Sequence, residues 1–148
     1  IYWQPYHQAL SGELSRLRLL HSNVLLWDAH SIRGEIPWLF DGKLPDLNVG
    51  TANGLAAAES VGLAVMEVCS QQEQFTHVLN GRFKGGYITR CYGNPQGGIH
   101  AVQLEKCQSV YMNELPPYEY KPELAAQVQP LLHKMVAAAL NQVKSLSL

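Results

Sequence analysis

Four apolar residues in succession, Val24-Leu25-Leu26-Trp27, run straight into Asp28-Ala29-His30-Ser31. Such a run without alternation is the pattern of a strand covered on both faces, and strands of that kind belong to sheets flanked by helices. The preceding segment supplies a helix. Pro5 suits a first turn, and Tyr6, Leu10, Leu14, Leu17 and Leu20 recur at helical spacing while Glu13, Arg16 and Arg18 take other faces. The spacing predicts an amphipathic helix over 5–21, broken by His21-Ser22-Asn23. Helix, break and buried strand together predict an α/β sheet.

Residues 31–54 hold Gly34, Pro37, Gly42, Pro45, Asp46, Asn48, Gly50, Asn53 and Gly54 without a sustained period, which predicts a long loop of the kind that carries function. Helical character returns over 55–71, with Val61, Ala64, Val65 and Val68 on one face. Thr76-His77-Val78-Leu79 reads as a strand, Asn80 to Gly86 as turns, and Tyr87 to Thr89 as a β-prone stretch. A further strand runs from Ile99 toward Glu105, and a long helix from Pro122 to Val143 with Leu124, Val128, Leu131, Met135 and Ala139 in its stripe. There is no internal repeat. This layout predicts one domain over 1–148 with a mixed sheet.

Composition excludes several classes. Eleven Lys and Arg are scattered against twelve Asp and Glu, for a net charge of -1, so the stripe that a nucleic-acid backbone needs is missing. No apolar run approaches the ~20 residues that span a bilayer. Cys69, Cys91 and Cys107 are odd in number and widely spaced, which argues against a disulfide framework and for a reducing compartment, the cytoplasm. The chain opens on Ile1 without an initiator Met, and is expected to be cut from something longer.

Three groups of residues bear on chemistry. Asp28 and His30, two apart on a strand, point to one side where the strand meets the loop, so that Asp28 can orient a metal-binding His30. The alternative is a loop cap and an ordinary hydrogen-bonded histidine. Gln103 and Glu105 alternate with Val102 and Leu104, which puts a carboxylate opposite an apolar face, as a general base or as a solvated strand end. Arg33, Arg82 and Arg90 lie in or beside glycine-rich loops and suit a carboxylate-bearing ligand, although surface arginines are common. Cys91 with His100 as its base is a further pairing, against which stands a buried, inert cysteine.

The segments Pro5-Tyr6-His7, Asp28-Ala29-His30-Ser31-Ile32-Arg33, Pro45-Asp46-Leu47-Asn48-Val49-Gly50-Thr51, Asn80 through Arg90, and Gln103-Leu104-Glu105 occur in order over nearly the whole chain. Together they resemble the N-formylglutamate amidohydrolase family. The resemblance implies a three-layer α/β/α fold with a mixed central sheet, related to the zinc carboxypeptidases (phosphorylase/hydrolase-like), with the N-terminal part absent. It also implies hydrolysis of N-formyl-L-glutamate to formate and L-glutamate in histidine degradation.

Carried over residue by residue, His30 is a zinc ligand, with Asp28 behind it, and Glu105 is the general base and proton shuttle. Arg33, Arg82 and Arg90 are candidates for the two substrate carboxylates, with Asn80 assisting. Family members hold a further His and an acidic ligand ahead of the region resembling Ile1 onward, so the zinc ligand set here is incomplete and this chain alone is expected to be inactive. Cys91 stands where the family pattern has His. The competing expectations are a non-catalytic fragment or ligand-binding module, and a related N-acyl amino acid deacylase. Surface exposed by truncation predicts self-association.

Overall fold

A computed structural model describes residues 1–147. Helix α1 (Trp3–Leu20) leads into β1 (Val24–Ile32), followed by β2 (Leu47–Gly50), α2 (Glu59–Ser70), β3 (His77–Leu79), α3 (Tyr87–Tyr92), β4 (Ile99–Cys107) and α4 (Pro122–Ser145). The strands form one sheet in the order β1-β4-β2-β3. β1 runs parallel to β4 and β2 parallel to β3, and the two pairs meet antiparallel at β4 and β2. The sheet is mixed, as the order of elements implied.

One face of the sheet is apolar. Val49, Val102 and Leu104 pack there against α2 and α4, which present Val61, Val65 and Cys69, and Val128, Leu131, Met135, Ala139 and Val143. Spacings of three and four keep each set on a single helix stripe. Each fully buried Val or Leu contributes about 1.5–3 kcal/mol, so this layer supplies most of the driving force. On the other face lies α3, whose Thr89 hydroxyl reaches Asp28. Beside it α1 is joined through the His7 ring, stacked on Tyr92 and hydrogen-bonded to its hydroxyl at 2.6 Å. Helices on both faces make the α/β/α arrangement.

Three segments differ from the sequence reading. The 31–54 stretch contains β2, four residues that are all buried. Asn and Gly make up half of it, so its strand state comes from pairing on both sides and not from propensity. Tyr87–Thr89 is helical despite its β-prone residues. Gly85 turns the chain at φ +120°, and the Arg90 N–H closes the first turn on the Gly86 carbonyl, leaving the segment no strand to pair with. Helix α2 starts at Glu59 and not near 55, because the Ala56 carbonyl is taken by the Ala101 N–H of the sheet.

Candidate functional site

The face opposite the apolar core carries the polar residues of three adjacent strands. His30 of β1 is in register with Glu105 of β4, which is in register with Asn48 of β2; one row back, Asp28 is in register with Gln103 and Gln103 with Gly50. Paired residues on neighbouring strands point to the same side, so Asp28, His30, Gln103, Glu105 and Asn48 share one surface. His30 Nε2 lies 2.7 Å from Asp28 Oδ1. An ionised carboxylate only accepts, so Nε2 carries the proton and Nδ1 keeps the lone pair. The Asp28 side chain is 10% exposed and that of His30 44%.

Glu105 is buried, at 8% exposure, and not a solvated strand end. Burial pushes its carboxyl above the usual range, His30 and Lys106 pull it back, and Asp28 adds to the rise. Lys106 in turn donates to the His30 carbonyl at 3.2 Å and lies over the Tyr111 ring. A base whose affinity for a proton is raised by its surroundings is suited to take a proton and release it again.

The remaining sequence-predicted residues sit elsewhere. Arg33 follows the end of β1, and its Nε is buried without a hydrogen-bond partner among the described residues. Arg82 donates through Nη2 to the Leu39 carbonyl at 2.6 Å, and Arg90 through Nη1 to the Gly85 carbonyl at 2.9 Å. Asn80 follows β3, three strands across from β1, a span of about 14 Å. Its side chain accepts from the Thr51 and Asn53 N–H groups and donates to Thr51 Oγ1, which fixes the 51–54 turn. The structure thus brings together Asp28, His30 and Glu105, and leaves Asn80 on the far side of the sheet.

Cys91 is exposed on α3, where a buried cysteine was the expectation; Thr89, two residues before it, takes the inward position of that short helix. His100 is buried, accepts at Nδ1 from the Ala58 N–H and faces Asn23, so it is occupied away from Cys91. Three residues of the surface were given no role by the sequence reading. Gln103 accepts the Gly86 N–H at 2.6 Å, Thr89 reaches Asp28 Oδ2 at 3.3 Å, and fully buried Asn48 has a carbonyl oxygen without a partner among the described residues. Alternation with Glu105 was the signal available for Gln103, and an Asn between Leu47 and Val49 was the signal for Asn48.

Among the described residues no group of three His, Cys, Asp or Glu side chains could hold a metal ion. A catalytic zinc takes three protein ligands, and here one imidazole with its orienting carboxylate stands beside one glutamate. The donors of this chain therefore do not fit a complete zinc centre. No helix among the described residues is long and apolar enough to cross a membrane.

Residues 1–112 match the family described as N-formylglutamate amidohydrolase. The chain is 52% identical over 138 residues to an N-formylglutamate deformylase of Pseudomonas putida and 46% identical over 138 residues to one of Pseudomonas aeruginosa. Each match covers 93% of this chain and 52% of the relative, so the chain spans about half the length of the curated relatives it matches. The crystal structure of an N-formylglutamate amidohydrolase from Ralstonia eutropha superposes with a TM-score of 0.74 at 20% identity, over 96% of this chain and 50% of that one. At that identity the superposition speaks for the fold alone, which is the mixed-sheet α/β arrangement described above. On the strength of the match over 1–112, the chain belongs to the N-formylglutamate amidohydrolase family.

Proposed function

We propose that this chain supplies part of the site of an enzyme that hydrolyses N-formyl-L-glutamate to formate and L-glutamate in the cytoplasm. The observation that carries the reading is the Asp28–His30 pair set in register beside a buried Glu105. The Pseudomonas relatives, both described as N-formylglutamate deformylases, support the choice of substrate.

His30, oriented by Asp28, would be this chain's contribution to the zinc site that the family resemblance implies, and a zinc held there would supply Lewis-acid polarisation of the carbonyl and a water of pKa about 7. Glu105 takes a proton from the attacking water and returns it to the amine nitrogen as the C–N bond breaks. Arg33, Arg82 and Arg90 are the candidates for the two carboxylates of the substrate, for which guanidinium groups offer paired donors; Arg82 and Arg90 would do so with the donors not already given to the Leu39 and Gly85 carbonyls. Asn80 contributes by holding the 51–54 turn.

The test is a chimera in which this chain replaces the 138 matched residues of the Pseudomonas putida protein. Formate release from N-formyl-L-glutamate with zinc is expected, and is expected to vanish in His30→Ala and Glu105→Gln. A folded chimera that stays inactive beside an active parent would sink the reading, as would full activity in Glu105→Gln. Competition with acetyl and succinyl analogues separates formyl from other acyl groups.

A second reading rests on the incomplete donor set: by itself the chain binds a small acidic ligand without hydrolysing it. Calorimetry with N-formyl-L-glutamate and the isolated chain tests it, and hydrolysis by the isolated chain would refute it.

A further inference from the structure

We propose that Thr89 is a positioning residue that fixes the orientation and tautomer of His30 through Asp28. The inference rests on the reading of His30 as a working group of the site and adds what holds it. Thr89 is fully buried, and its hydroxyl lies 3.3 Å from Asp28 Oδ2. The carboxylate only accepts, so the hydroxyl donates. The other oxygen of Asp28, Oδ1, takes His30 Nε2 at 2.7 Å. A donor at one oxygen resists rotation of the carboxylate about its χ2 and so favours the direction of the other oxygen, and with it the nitrogen of His30 that carries the proton.

Packing does not fix the His30 ring, whose side chain is 44% exposed. The hydrogen bond to Asp28 is what orients it. Three contacts fix the backbone turn that leads to Thr89. Gly85 adopts φ +120°, and a Cβ there would lie 2.8 Å from Thr89 Cγ2, so no larger residue can take its place without pushing Thr89 aside. The Gly86 N–H donates to Gln103 Oε1 at 2.6 Å, and Gln103 is the register partner of Asp28. Gly50 meets the backbone of Lys84 and Gly85 so closely that no Cβ fits between them. The first turn of α3 is thereby pinned to β4 and β2 while its Thr89 hydroxyl meets β1.

The experiment uses the whole chain, ¹⁵N-labelled, free of metal and substrate, at a pH where His30 is neutral. Long-range ¹H–¹⁵N correlation spectra report which ring nitrogen of His30 is protonated. In the wild type the proton is expected on Nε2. Thr89→Val keeps the shape and removes the donor, and the ratio of the Nε2–H to the Nδ1–H tautomer is expected to fall about fivefold, the effect of one ordinary hydrogen bond. Thr89→Ser keeps the donor and removes the methyl group, and is expected to retain the wild-type ratio while losing stability.

An unchanged ratio in Thr89→Val overturns the proposal, and so does an equal fall in Thr89→Ser, which would make the role one of packing. Urea midpoints establish that each variant is folded. Should Thr89→Val not fold, Thr89→Ala against Thr89→Ser differ by the hydroxyl alone and carry the same comparison. Because neither metal nor formyl substrate is present, failure of the proposed activity and failure of this proposal are separate outcomes.

Discussion

Gly50 lies where β2 passes beneath the segment leading into α3, and Gly50→Ala tests how tightly the two are joined. An added Cβ would sit 2.5 Å from the Lys84 carbonyl carbon and 2.6 Å from the Gly85 nitrogen, both backbone atoms that no rotamer change can move. Normal contact begins near 3.5 Å, so the 84–85 backbone must retreat by about 1 Å. Two hydrogen bonds hold it in place, Ala52 N–H to the Lys84 carbonyl at 2.6 Å and Gly86 N–H to Gln103 Oε1 at 2.6 Å. A retreat of that size stretches both beyond bonding range, a loss of about 1 kcal/mol each. Overpacking adds about 1–3 kcal/mol, for a total of about 3–5 kcal/mol against a whole-domain stability of about 5–15 kcal/mol. Urea unfolding followed by circular dichroism measures it. Gly12→Ala is the control: it lies inside α1, nothing comes within 4 Å of its added Cβ, and a gain of about 0.5–1 kcal/mol is expected. A loss below about 1 kcal/mol for Gly50→Ala, with Gly12→Ala behaving as stated, refutes the reasoning.

Burial pushes the Cys69 thiol up to about 11 and the Cys107 thiol up to about 12, while Cys91 is exposed. One thiol is therefore expected to react promptly with an aromatic disulfide reagent and two only in denaturant; two prompt thiols would contradict the packing. Folding raises the Glu105 pKa, so the folded chain binds the proton more tightly than the unfolded one and loses stability as pH climbs from the unfolded toward the folded value. Glu105→Gln is accordingly expected to be more stable than wild type at about pH 8, with the advantage shrinking at about pH 4, and urea midpoints showing the opposite trend would refute it. Tyr2, Trp3, Tyr6, Leu19 and Leu20 are exposed on or beside α1, and self-association is expected in sedimentation velocity. A monomer throughout the micromolar range contradicts that expectation.

The parts of the fold that could be read from the sequence were those whose residues agree with their local pattern. The stripe of α4 has one period and the run into Asp28 is continuously apolar, and the structure keeps them as helix and strand, extending β1 to Ile32. β1 is an edge strand, however, and its residues beyond Val24 are not fully buried as a run without alternation implied. Likewise, the alternation of Gln103 and Glu105 with Val102 and Leu104 divides β4 into a polar and an apolar face. What could not be read depends on partners distant in the chain. Leu47–Gly50 is a strand because β4 and β3 flank it, and Tyr87–Tyr92 is a helix because of how Gly85 and Gly86 dock on β2 and β4. The burial of Glu105 and the reach of Thr89 to Asp28 are likewise products of assembly; no spacing within either segment encodes them.

Among the described residues, the strand that joins the two halves of the sheet is the latest in sequence order. β4 lies between β1 and β2, so among the described strands β1 pairs with none of the others until Ile99–Cys107 is in place. Pairings this distant in sequence, Val24 with Ile99 and Ile32 with Cys107, fold slowly because the intervening chain must first be ordered. The step that completes the sheet is also the step that sets Glu105 beside His30. Wherever β4 is not docked on β1, Glu105 and His30 are apart, so one strand pairing supplies both the architecture and the chemistry.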